Sequence, residues 1–141
     1  MARNDPYRNF NFRVEIAGVQ VAGFSECSGL STEVDVIEYR EGSDFNVRKL
    51  PGLAKVGDIT LKRGVIKSNE LQSWHRELLN GVPDRRDGVV ILMDEQRNEV
   101  VRWRFLNAFP REWVGPSLKG DGNDVAIETL VLSCEGLERE S

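Results

Sequence analysis

Three side chains in this 141-residue chain could carry nucleophilic or metal chemistry: His75, the only histidine, and Cys27 and Cys134. They come from three distant segments, so together they offer a metal at most three soft donors. The cysteines fit no C-x-x-C spacing, and with no secretory signal they read better as buried, inert thiols than as a disulfide. A nucleophile needs a base within hydrogen-bond reach. His75 sits beside Trp74 in an amphipathic stretch, and spacing suggests no partner, so it reads as a satisfied histidine at the core's edge. Carboxylates are plentiful, but Asp94-Glu95 lies in a turn signal, and Glu138 and Glu140 lie in a charged tail. In such places charge serves solvation more than acid–base work. Asp84-Arg85-Arg86-Asp87-Gly88 reads as a solvated connection, its aspartates offsetting any phosphate contact by the arginines. There is no G-x-x-x-x-G-K-[ST] loop and no dinucleotide fingerprint. These residues build no active site, and they imply no cofactor, no metal ligand set and no enzyme.

The elements that would have to position such groups point the same way. At 141 residues the chain suits one domain. Hydrophobic residues make up 40% and charged residues 30%, an ordinary globular balance. A net charge of −4 gives no reason to expect nucleic-acid binding. No apolar run approaches the ~18 residues of a membrane span. The polar start from Met1 to Phe10, with Arg3, Asp5 and Arg8, does not read as a signal peptide, so cytoplasmic synthesis and no direct membrane anchoring are expected.

Phe10, Phe12, Val14 and Ile16 alternate with Asn11, Arg13 and Glu15, the signature of a half-buried strand. Ala17-Gly18 predicts a turn into a strand over Val19–Glu26. Further strands are expected at Glu33–Arg40 and Val56–Val65. Gly88–Met93 and Val100–Phe109 should form a hairpin about Asp94–Asn98, and the last strand is expected over Val125–Cys134. One helix interrupts them. Asn69 with Gln72 three residues on has capping-box spacing. Leu71, Trp74 and Leu78 recur at helical spacing, and Asn80-Gly81 with Pro83 stops the run. The fold class is therefore mainly β, an antiparallel domain of six or seven strands with one helix. Such a sheet has edges that invite pairing with another chain. Two connections are long, Glu41–Lys55 and Trp113–Asp124. A long ordered loop is usually functional or else disordered, and physics alone leaves both readings open.

Several stretches, in order, resemble the tail-tube family of contractile phages and extracellular contractile injection systems. They begin with Asp5-Pro6-Tyr7-Arg8-Asn9-Phe10-Asn11-Phe12 and Gly23-Phe24-Ser25-Glu26-Cys27-Ser28-Gly29-Leu30. Glu38-Tyr39-Arg40-Glu41-Gly42, Lys49-Leu50-Pro51-Gly52 and Leu61-Lys62-Arg63-Gly64 follow. Leu71-Gln72-Ser73-Trp74-His75, Asn107-Ala108-Phe109-Pro110, Gly115-Pro116-Ser117-Leu118-Lys119, Val125-Ala126-Ile127-Glu128 and Cys134-Glu135-Gly136-Leu137 complete the set. Each motif is weak alone, and the ordered set is specific.

The resemblance implies a small antiparallel β-barrel or sandwich-like tail-tube domain over residues 1–141, similar also to the tube protein of type VI systems. It implies six-membered rings stacked into a hollow tube inside a contractile sheath. The implied partners are other copies, the sheath, baseplate, spike and terminator proteins, and cargo in the lumen, in a particle assembled in the cytoplasm and capable of release. Open edges agree, since neighbours around a ring can pair them. A conduit wall should be polar, which nominates Arg13, Glu15, Glu33, Asp35, Asp58, Lys62, Arg102 and Arg104 as lumen-facing. The Glu41–Lys55 segment carries Phe45, Val47, Leu50 and Leu53 beside Asp44, Arg48 and Lys49, which suits a loop that orders on another subunit and stacks rings. A tube initiator at the baseplate is the alternative within the family. A monomeric β-barrel carrier, which would need an open apolar pocket, is the alternative outside it.

Overall fold

The computed structural model describes residues 11–17, 19–21, 23–43, 45–122 and 125–140. Phe10 and the start of its motif, Gly18, Asp44 and Asp124 lie outside these.

Alternation sets the first strand. β1 (Phe12–Ile16) buries Val14 and Ile16, and Arg13 and Glu15 take the other face. It ends at Ala17, whose φ of 55° turns the chain and whose N–H donates to the Asp87 carbonyl at 2.8 Å. The single strand expected over Val19–Glu26 is two strands, β2 (Val19–Val21) and β3 (Phe24–Ser28). Between them Gly23 has a φ of +85°, a region open to glycine. β2 pairs with β1, whereas β3 pairs with residues of a later strand, from Thr60 to Arg63.

β4 (Thr32–Tyr39) and β5 (Arg48–Val56) pair antiparallel as a separate two-stranded ribbon. This corrects the long loop expected over Glu41–Lys55, since Arg48 to Lys55 is strand. Pro51 is tolerated because it stands beside a register shift opposite Val36, where a ladder N–H is dispensable. A corner follows, in which the Gly57 N–H donates to the Ser31 carbonyl at 2.9 Å, and β6 (Ile59–Gly64) enters the body.

The helix α1 (Glu70–Leu79) buries Leu71 and Trp74 as its spacing predicts. The capping box does not form. Asn69, with ψ of 24°, is outside the extended backbone that aims a cap side chain, and it makes no side-chain cap bond. The stop is as expected: Gly81, φ +84°, donates its N–H to the Leu78 carbonyl at 3.0 Å.

β7 (Arg86–Met93) and β8 (Glu99–Val114) form the expected hairpin, closed by Asp94 Oδ1 accepting the N–H groups of Gln96 and Asn98 at 2.9 Å each. β9 (Ile127–Ser133) is not the last strand. The charged tail is β10 (Gly136–Glu140), paired with β8. The described residues thus hold ten strands, not six or seven.

Eight strands make the body, in the order β2-β1-β7-β8-β9-β6-β3, with β10 also on β8. The 16-residue β8 serves both halves: its first part pairs with β7 and β10, and Phe109–Val114 pairs with β9. At the bend Asn107 has a φ of 52°. Its N–H donates to Asp87 Oδ1 (2.9 Å) and its Nδ2 to Glu135 Oε2 (3.0 Å), which fix the strained residue. The two half-sheets close as a sandwich over Val14, Ile16, Val90, Phe105, Ile59, Leu61, Leu130 and Leu132. At Gly88 a Cβ would lie 2.2 Å from Phe105 Cζ, so glycine is what lets that ring meet β7.

Candidate functional site

The residues nominated for chemistry hold structural positions. His75 places Nδ1 2.8 Å from the Pro110 carbonyl, tying α1 to β8. Cys27 and Cys134 are both free thiols packed against the core. Burial first, then the charge of Glu26, pushes the Cys27 thiol from 9.0 up to about 11. Burial and the charge of Asp58 raise Cys134 as well. The thiolate is the reactive form, so Cys27 is expected to alkylate at pH 8 about tenfold or more slowly in the folded chain than in urea. Mass spectrometry of the modified thiol checks this, and equal rates would overturn it. The same shift removes stability as pH rises from about 9 toward about 11, where the unfolded chain ionises first. Among the described residues, no three His, Cys, Asp or Glu side chains gather where they could hold a metal.

The eight polar residues nominated for the lumen do not share one surface, and Asp58 lies between strands. Arg13, Glu15, Arg102 and Arg104 share one face, because Arg13 stands opposite Ile91 and Ile91 opposite Arg102, while Glu15, Val89 and Arg104 align likewise. Ion pairs run across that face. Arg13 bonds Glu15 at 3.3 Å and also Glu99; Arg102 reaches Glu99 (3.0 Å) and Glu140 (3.7 Å); Arg104 reaches Asp87 (3.7 Å) and Glu140 (3.9 Å). Glu99, Asp87 and Glu140 are members that spacing did not reveal. Each such exposed pair contributes at most about 1 kcal/mol, so the face is a mixed-sign surface more than a source of stability. Lys62 lies on the other half-sheet, paired with Glu26 at 3.3 Å, and Asp58 pairs with Arg111 at the corner before β6. Glu33 and Asp35 are on the ribbon, where Asp35 meets Lys55 at 3.2 Å.

The ribbon also carries the expected stacking residues Phe45, Val47, Arg48, Lys49 and Leu50, and Asp44 lies outside the described residues. Among its charged residues it exposes large apolar side chains. Phe45 is 93% exposed and Leu53 75%, and Val34, Val36, Ile37, Val47 and Leu50 are each about half exposed. A two-stranded hairpin is marginal on its own in water, and among the described residues this one leaves both faces largely exposed.

One buried group escaped the sequence reading. Arg63 is 1% exposed and Glu128 7%, and they stand opposite one another on β6 and β9 with Nε 2.6 Å from Oε1. Trp113 Nε1 lies 3.4 Å from Glu128 Oε2, and Glu70 at the start of α1 lies 3.4 Å from Arg63 Nη1. The signal was available: Arg63 falls in the same alternation as the buried Ile59 and Leu61.

The sandwich carries ion pairs across one outer face and bears a ribbon that exposes large apolar side chains. A family model for the T4-like virus tail tube protein gp19 matches residues 8–138, and the chain belongs to that family. The structure of the anti-feeding prophage cap, the AFP tube-terminating cap, holds a chain 28% identical, with a TM-score of 0.88 over 100% of this chain and 95% of that one. The sheath–tube complex of the extracellular contractile injection system PVC holds a chain 27% identical, with a TM-score of 0.86 over 98% and 93%. Hcp1 from Flavobacterium johnsoniae, 17% identical with a TM-score of 0.57 over 91% and 93%, shares the fold. No curated protein sequence matches the chain.

Proposed function

We propose that this chain is the repeating subunit of the inner tube of a phage-tail-like contractile injection system. Six copies close a ring, and rings stack into a hollow conduit inside a contractile sheath, with baseplate, spike and terminator proteins at its ends and cargo in its lumen. The observation that carries this reading is the exposed apolar ribbon, on a body otherwise similar over nearly its whole length to a chain of a sheath–tube complex. The ribbon bridges one ring to the next. The Arg13, Glu15, Arg102 and Arg104 face lines the channel, its mixed signs limiting adhesion to cargo of either charge. Opposite faces of a sandwich point opposite ways, so Lys62 belongs to a different surface from this wall.

The 28% identity to a chain in the structure of a tube-terminating cap supports a second reading, a terminator that stops at one ring. Electron microscopy and size-exclusion chromatography of the purified chain separate the two. Extended tubes are the expected result, single rings alone would make it a terminator, and a monomer at high concentration would sink both readings. Replacing residues 41–47 by a two-residue Asn-Gly turn should leave rings intact and abolish stacking. Tubes of wild-type length from that variant would rule out the ribbon as the bridge.

A further inference from the structure

The body carries a second exposed apolar cluster, at the far end of β6 from the ribbon. The ribbon's β5 ends at Val56, three residues before β6 begins at Ile59. Where β6 ends, Val65 and Ile66 are half exposed, and the Val65 N–H donates to the Ala126 carbonyl at 2.9 Å. Val125 and Ile127 are exposed beside them, with Ile127 opposite Gly64. Val114, exposed at the end of β8, stands opposite Thr129, and Leu118 just beyond it is 81% exposed. A hollow of about 260 Å³ is lined by Leu118, Ala126 and Gly122, with Ser117 and Lys119 as its polar members.

We propose that this cluster is the socket for the ribbon of a second copy of the chain, with Phe45 seated in the hollow beside Leu118. The inference rests on the tube reading and names the surface that the ribbon engages. Placement is the first argument. The ribbon joins the body at the start of β6 and the socket lies at its end, a span of roughly 20 Å for six residues. A contact between unlike surfaces at opposite ends is heterologous and repeats along an axis, whereas a self-complementary patch would close a pair and stop. Area is the second. The ribbon's exposed apolar residues leave on the order of 700 Å² open and the socket's on the order of 500 Å², together the roughly 1,200 Å² at which specific interfaces begin. Size is the third: Phe45 is the largest exposed apolar side chain of the ribbon, and the hollow is of side-chain dimensions.

The test uses full-length chains carrying Phe45→Asp or Leu118→Asp, both at exposed positions, with circular dichroism to verify the fold. Each variant alone should give rings that do not stack. Mixed after ring formation, they should give particles of two rings and no more, because one intact ribbon surface meets one intact socket only once. A Leu118→Asp variant that stacks like wild type would overturn the socket, as would one that forms no rings, which would place Leu118 in a lateral contact. A mixture that stays as single rings would show that the two surfaces do not meet. Val125→Asp, a second socket variant, should behave as Leu118→Asp does. If the wild-type chain itself makes no tubes, the tube reading fails and not this pairing alone.

Discussion

Glu128→Ala is expected to destabilise the subunit by about 3–5 kcal/mol, the cost of removing one member of a buried ion pair. Arg63 is 1% exposed, and its Nε bonds Glu128 Oε1 at 2.6 Å. Glu70, 3.4 Å from Arg63 Nη1, is 52% exposed to solvent and is a weaker partner than the buried Glu128. Against a total of roughly 5–15 kcal/mol for a domain, the loss is large. It should appear in urea denaturation of the dispersed subunit as a lower midpoint at unchanged slope. The double change Arg63→Met with Glu128→Leu removes both charges and should recover most of the loss, because the pair's desolvation cancels much of its attraction. A single variant within about 1 kcal/mol of wild type would contradict this account.

Trp74→Ala should cost a similar amount, about 3–5 kcal/mol, as large-to-small changes in packed cores do. Trp74 is buried under the helix, its indole N–H donates to the Asp84 carbonyl at 2.8 Å, and the Arg86 guanidinium lies 4.6 Å from the ring centroid. Arg86 is held there by Asp84 Oδ2, at 3.1 Å from Nε and 2.7 Å from Nη2. Trp74→Phe keeps a ring beneath the guanidinium and loses the indole donor. It should therefore fall between alanine and wild type. Phenylalanine and alanine variants of equal stability would mean that ring packing contributes nothing, contrary to this reading.

How much of this was legible follows from which faces are buried. β1 could be read from its residues because Val14 and Ile16 pack inward and Arg13 and Glu15 do not, leaving a period of two. β5 could not, because neither face of the ribbon is buried and no alternation was required; its Pro51, Gly52 and three basic residues then mimic a loop. In β10 only Leu137 packs against the core, so the strand reads as a charged tail. The Asn69–Gln72 spacing had the residues of a capping box and not the backbone angle. Arg13, Arg102 and Arg104 were each visible as outward residues. Their convergence depends on the pairing register of β1, β7 and β8, a long-range property that local spacing does not carry.

The position of β8 orders the events of folding. Its partners are β7, which is next to it in sequence, and β9 and β10, which follow only after the 115–126 connection. β1 and β3 likewise wait for distant strands, β7 and β6. Such non-local pairing is slow, since loop-closure entropy must be met before contacts form. The ribbon has no such wait, because β4 and β5 are neighbours joined by residues 40–47. A hairpin of this kind closes in about microseconds, whereas the body is expected to need milliseconds or longer. The surface proposed for joining rings can thus be transiently formed before the domain that carries it is finished. Concentrated refolding should therefore favour premature encounters between half-folded chains, and dilute refolding should favour competent subunits.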